Sequence, residues 1–110
     1  MRRGIEYQRR RYDVDRLRAN IDPRDFYRHE LSAMPTDGRL SGAGWTGGGL
    51  CPFHNDRRKG NFRVNLDSGA FVCFACGRKG PDIIAFVQER DGLSFYQALE
   101  YLANSWGVRT

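Results

Sequence analysis

Long apolar runs are missing from this 110-residue chain. The longest is AFVCFAC at 70–76, seven residues, followed by IIAFV at 83–87, against the roughly 20 that a membrane-spanning helix needs. The opening MRRGIEYQRRRYDVDR has no apolar segment of the kind a secretory signal requires. The expected compartment is therefore the reducing cytoplasm, where cysteines serve as metal ligands more readily than as disulfides. Cysteine is itself scarce. The three present are an odd number, which no disulfide framework explains. Acidic residues are in the minority at 13 against 18 basic ones, giving a net charge of +5 and a pI near 9.5. Such a balance favours anionic partners, nucleic acid before a membrane surface. Lysine accounts for two of the basic residues and arginine for sixteen, and arginine's planar fork suits phosphate. Nor is the composition that of a disordered chain, with 40% hydrophobic and 13% aromatic residues. The length holds one domain with a modest core, in which a metal staple would matter.

Familiar catalytic patterns are absent too. GAGWTGGG is glycine-rich but lacks the Lys-Ser/Thr of a phosphate-binding loop. Asp13-Val14-Asp15 sits in a basic arm and reads as helix capping rather than a magnesium site. No Ser/His/Asp set is supported.

What is present falls into four zones. Residues 1–20 carry seven arginines against three acids, so most of the excess charge lies there, with a short helix capped by Asp13 running to about Asn20. A second helix is expected over 22–33, with Asp22 as N-cap, Pro23 in the first turn, Phe26, Tyr27 and Leu31 as its apolar stripe, and Pro35 as its stop. The glycine-rich stretch 34–49 reads as loop or irregular edge strand. In 62–66, Phe62, Val64 and Leu66 alternate with Arg63 and Asn65. A turn at 67–69 then leads into a partner strand over 70–74. Two helices close the chain. One is opened by Pro81 and Asp82 and stopped by Gly92. The other starts in a capping box made by Ser94 and Gln97. So short a connection predicts an αα-hairpin packed on the sheet.

The chemistry is concentrated in CPFH at 51–54 and CFACGRKG at 73–80, which hold a Cys-x-x-His pair and a Cys-x-x-Cys pair. Zinc takes four thiolate or imidazole donors in a tetrahedron. A hairpin between the pairs would bring Cys51, His54, Cys73 and Cys76 to one ion, with Gly77 and Gly80 supplying the tight backbone of the second knuckle. A closed Cys3His shell leaves no position for a reacting water, so the expected cofactor is one structural Zn2+. His29, the other histidine, is expected at the surface.

These residues resemble a known family. CPFHND, the F-R-V of 62–64 and FVCFACGRKGPDIIAFVQ look like the N-terminal zinc-binding (CHC-type zinc finger) domain of bacterial DnaG-type DNA primases. The likeness runs over about 13–107, including the lead-in LSGAGWTGGGLCPFH and the helix from Leu93 to Trp106. It implies a small α+β fold, a zinc-ribbon-like antiparallel sheet flanked by helices, that binds single-stranded template DNA during primer initiation. Carried over by position, Cys51, His54, Cys73 and Cys76 are zinc ligands. Arg63, Phe71, Arg78 and Lys79 lie on or beside a DNA-facing hairpin, where bases stack on aromatics and cations meet phosphates. For Phe71, burial beneath a helix is an equal alternative. The chain departs from the family where RRKGNF replaces its Pro-Ser-Phe, with one extra residue before Phe62. That change makes the loop of Arg57, Arg58 and Lys59 more basic and adds those three to the candidate DNA contacts.

The resulting expectation divides the chain into a basic arm (1–12), a primase-type zinc-binding domain (13–107, zinc motif 51–80) and a tail (108–110). No polymerising domain is expected in 110 residues, so the chain is not an enzyme by itself but belongs to a DNA primase system, in chromosomal or mobile-element replication. Expected partners are single-stranded template DNA and a catalytic primase chain or replicative helicase. No membrane and no small-molecule substrate are expected. The competing reading is a zinc-stapled adaptor that docks on a replication protein without touching DNA.

Overall fold

The computed structural model describes residues 12–32, 34 and 42–108. The basic arm up to residue 11, the stop at Pro35 and the last two residues lie outside them. Among the described residues are four helices and four strands.

The helices form where their caps place them. Asp13 accepts from the Arg16 N–H and starts α1 (Val14–Asn20), and Asp22 accepts from the Arg24 N–H to start α2 (Pro23–Glu30). The second helix ends at Glu30, short of the 33 expected, with the Leu31 N–H closing on the Tyr27 carbonyl. Asp82 caps α3 (Ile83–Asp91), which Gly92 terminates in the left-handed region at φ 66°. The Ser94–Gln97 capping box is formed in full at the start of α4 (Phe95–Ser105).

Four antiparallel strands lie in sequence order: β1 (Trp45–Gly47), β2 (Phe62–Asn65), β3 (Phe71–Cys73) and β4 (Lys79–Gly80). The hairpin between β2 and β3 is the one expected. The glycine-rich stretch supplies the edge strand β1, and the second knuckle turns back into β4, which the sequence reading did not separate. Gly80 has a different reason from the one expected. It needs no unusual backbone, but a Cβ there would sit 2.6 Å from Phe71 Cε1 and 2.7 Å from Ala85 Cβ. Its role is to let β4 and α3 close on Phe71.

Burial follows the alternation. Phe62, Val64, Phe71 and Cys73 point inward. Arg63 pairs with Val72, and Val72 with Lys79, on the other face. Inside, Phe86 of α3 is the hub, its ring within 5.2–6.3 Å of Phe26, Tyr27, Phe53, Phe62 and Phe71. Most of these contacts are tilted or edge-on, as ring quadrupoles favour. The Tyr27 hydroxyl donates to the Gly69 carbonyl and ties α2 to the β2–β3 turn. Burial, with the nearby Asp82 charge, raises its pKa well above the ordinary phenol value.

A second tie joins three helices. The Glu30 carboxylate, at the end of α2, accepts from Arg90 of α3 at 2.7 Å, Tyr101 of α4 at 3.0 Å and the Trp106 indole at 3.0 Å. Burial alone would raise the pKa of this carboxyl. The hydrogen bonds from Arg90, Trp106 and Tyr101 overcome that and hold it below its ordinary value.

Candidate metal centre and sheet face

Each knuckle is a short turn with its sulfur turned back onto its own backbone. In the first, the Phe53 N–H points at Cys51 Sγ at 3.4 Å, and the Asp56 carboxylate accepts from the Cys51 N–H at 2.8 Å. That bond, with another from the Arg58 N–H, keeps the Asp56 pKa below its usual value. In the second, the Gly77 N–H closes on the Cys73 carbonyl at 2.8 Å, and Gly77 takes φ 81°, which a side chain would resist. The β2–β3 hairpin sets the two turns side by side.

Donor atoms of Cys51, His54, Cys73 and Cys76 all lie within 4.8 Å of one another. Cys51 Sγ is 4.0 Å from Cys76 Sγ, and Cys73 Sγ is 3.5 Å from His54 Nε2. Tetrahedral zinc with ordinary bond lengths separates two sulfurs by about 3.8 Å and a sulfur from a nitrogen by about 3.6 Å. The cluster therefore fits zinc, with His54 presenting Nε2 and all three cysteines free of disulfides. Three thiols so close cannot ionise equally without a cation. Burial, with Cys73 and Cys76 alongside, pushes the Cys51 thiol up to about 12. For Cys73, burial is outweighed by the N–H groups of Cys76 and Ala75 and by His54, which bring it down to about 7. Zinc binding converts all three to thiolates and releases the protons they held. The donor set makes one structural zinc site, in which the metal's chemistry is to cross-link the two knuckles.

The remaining expected residues divide. Phe71 is a correction: it is 1% exposed and packs on Phe53 and Phe86. As an inward position of β3 between the sheet and α3, it offers no face to a base. Arg78 is engaged within the fold, donating to the Phe53 carbonyl at 3.1 Å and lying 3.5 Å from Glu89. Arg57, Arg58 and Lys59 are exposed on the loop before β2, and Lys79 is exposed on β4. Arg63 is half-buried on the outer sheet face. His29 is at the surface, its ring edge-on to Trp106.

Two aromatics escaped the sequence reading. Phe74, just past Cys73, is 69% exposed. Trp45 of β1 is opposite Asn65 and so shares the outer face with Arg63 and Val72. The signal for Phe74 was present in the alternation, since it is the outward residue after inward Cys73. Trp45 sits in a three-residue strand, too short to show a period. Asn65 fixes that strand. It donates to the Ala43 carbonyl at 2.8 Å and accepts from the N–H groups of Asp67 and Ser68 at 2.9 Å, linking the approach to β1 with the β2–β3 turn.

Comparison with known proteins agrees with this geometry. The CHC2 zinc finger family profile matches residues 14–110. A DNA primase of Helicobacter pylori is 38% identical over 95 residues, which is 86% of this chain and 15% of that protein. One from Mycobacterium tuberculosis is 46% identical over 59 residues, 54% of this chain and 9% of that protein. The matched segments thus span 9–15% of the length of these relatives. The crystal structure of the Aquifex aeolicus primase, covering its zinc-binding and RNA polymerase domains, superposes with a TM-score of 0.66 at 31% identity over 92% of this chain and 23% of that one. With the fold, the donor cluster and the sequence in accord, this chain belongs to the CHC2 zinc finger family as a DnaG-type primase zinc-binding domain.

Proposed function

We propose that the chain is the template-holding module of a primase system: the zinc shapes a small sheet, and the outer face of that sheet binds single-stranded DNA. One observation carries this reading. Arg63, Val72 and Lys79 form a transverse row across β2, β3 and β4 on the face turned away from the core, with Trp45 and exposed Phe74 beside it. Neighbouring strands are about 4.8 Å apart, so the backbones bearing the two cations stand about 9–10 Å apart. Cations flanking aromatic surface suit a strand whose bases stack while its phosphates are neutralised. Arg57, Arg58 and Lys59 add positive charge on the loop that leads into β2. Primer polymerisation is left to a separate catalytic primase chain or domain, with a replicative helicase as a further partner in the cytoplasm, on a chromosome or a mobile element.

The test is titration of the zinc-loaded protein with short oligothymidylate at several salt concentrations. Affinity should fall steeply with salt. Replacing Arg63 and Lys79 together by Ala should reduce the salt slope by about 1.4, at about 0.7 per phosphate contact on single strands. Wild-type protein that binds no strand would transfer support to the adaptor reading. In its favour, Phe95 at the start of α4 is 48% exposed, an aromatic available to a protein partner.

A further inference from the structure

Two recesses open on the outer sheet face. Trp45, Arg63, Val72 and Phe74 line one of about 300 Å³. Trp45, Val72, Lys79 and Pro81 line much of the other, of about 570 Å³. Trp45 and Val72 line both, so the two recesses adjoin at this pair. Among the described residues, each recess has apolar or aromatic sides and one cation, Arg63 in the first and Lys79 in the second, and neither is lined by an Asp or Glu. An occupant with flat apolar faces and a negative linker suits this arrangement at every point.

We infer that Trp45 separates two successive bases of a single strand, one seated between Trp45 and Phe74 and the next on the Lys79 side. This rests on the DNA-binding reading above and goes beyond it in fixing the number of bases held and the residue that divides them. Phe71 borders the second recess but is 1% exposed, with its ring packed on Phe53 and Phe86 in the core. Trp45 and Phe74 therefore do the stacking that the hairpin aromatic was expected to do. Base-on-aromatic contact is tolerant of base identity, so the recesses count bases more than they select them. Selection would come from Arg63 and Lys79, whose donors can reach base edges as well as phosphates.

The experiment uses a set of equal-length oligodeoxynucleotides in which every residue is abasic except one, two or three adjacent thymidines. Zinc-loaded protein is titrated with each strand. The first and second bases should each raise affinity over the fully abasic strand by about 5- to 150-fold, the range of one stacked base, and the third should add little. Phe74→Ala should remove the gain from one base and leave the other. Trp45→Ala should remove both, while Trp45→Leu, which keeps an apolar side chain, should retain part of the gain. Zinc content of each variant checks that the fold survives, and the exposed position of Phe74 makes its variant informative even where Trp45 variants lose the metal. A gain that continues unbroken through the third base, or that ignores Trp45 and Phe74, overturns the two-recess inference while leaving DNA binding intact. Failure of even the all-thymidine strand to bind removes the functional reading and this inference with it.

Discussion

Glu30 shows how much one side chain can hold together. It receives hydrogen bonds from α3, from α4 and from the indole beyond it, and its side chain and that of Arg90 are largely shielded from water. Glu30→Gln would remove one of two counter-charges on half-buried Arg90 and leave Asp91, at 2.9 Å, as the other. Loss of the one partner of a buried pair costs about 3–5 kcal/mol, and the remaining Asp91 bridge, with the partial exposure of Arg90, places this case below that range. The pH dependence has a definite sign. Because the carboxyl titrates lower in the folded chain than in the unfolded one, its contribution is fully present above the unfolded value of about 4.3. It is lost as pH falls through the lower folded value. Urea unfolding of zinc-loaded wild-type and Glu30→Gln protein should therefore show a stability gap that is constant from pH 8 to pH 6. A gap that grew on acidification across that range would contradict the assignment.

At the scale of elements, the parts that were readable from sequence are those in which local chemistry decides the outcome. Asp13, Asp22, Asp82, the Ser94–Gln97 pair and Gly92 all do at their helix ends what their side chains predict. The β2–β3 hairpin was readable because Phe62, Val64 and Leu66 alternate with Arg63 and Asn65 and a glycine-containing turn follows at 67–69. The CHC pairs were readable because two-residue spacings set donors within reach of one ion. β1 was readable only as loop or irregular edge strand and β4 was not readable, since three residues and two residues carry no period and are strands only because β2 and β3 offer them edges. Phe71 was ambiguous for a related reason: the alternation fixes which residues share a face but not which face α3 covers. Gly80 makes the dependence on packing measurable. Gly80→Ala would drive a methyl group into Phe71 and Ala85, and overpacking of this kind costs about 1–3 kcal/mol. The expected result is a lower thermal midpoint with zinc content unchanged, because the ligands Cys73 and Cys76 precede the clash. Loss of zinc in this variant would mean that β4 helps to set the second knuckle.

Over the whole molecule, the zinc and the aromatic core are coupled through Phe53. This residue lies between ligands Cys51 and His54, and its ring packs on Phe62, Phe71 and Phe86 at 5.4–5.7 Å. Anything that frees the first knuckle therefore opens the core on the sheet side. Structural zinc in small peptides contributes an apparent 10–16 kcal/mol, while whole domains are stable by about 5–15 kcal/mol. The sheet should not survive removal of the metal. The helical layer has its own ties: Phe26 packs on Phe86 and Trp106, and Glu30 bonds both α3 and α4. Chelation should thus produce a two-layer response, with near-UV aromatic dichroism collapsing while part of the far-UV helical signal remains. On the proposed function, strand binding should vanish with the aromatic signal, since Arg63, Val72 and Lys79 align only while β2, β3 and β4 are paired. Returning zinc under reducing conditions should restore both. Apo protein that kept its near-UV spectrum would show the aromatic core to be self-sufficient, and the zinc would then position only the two knuckles.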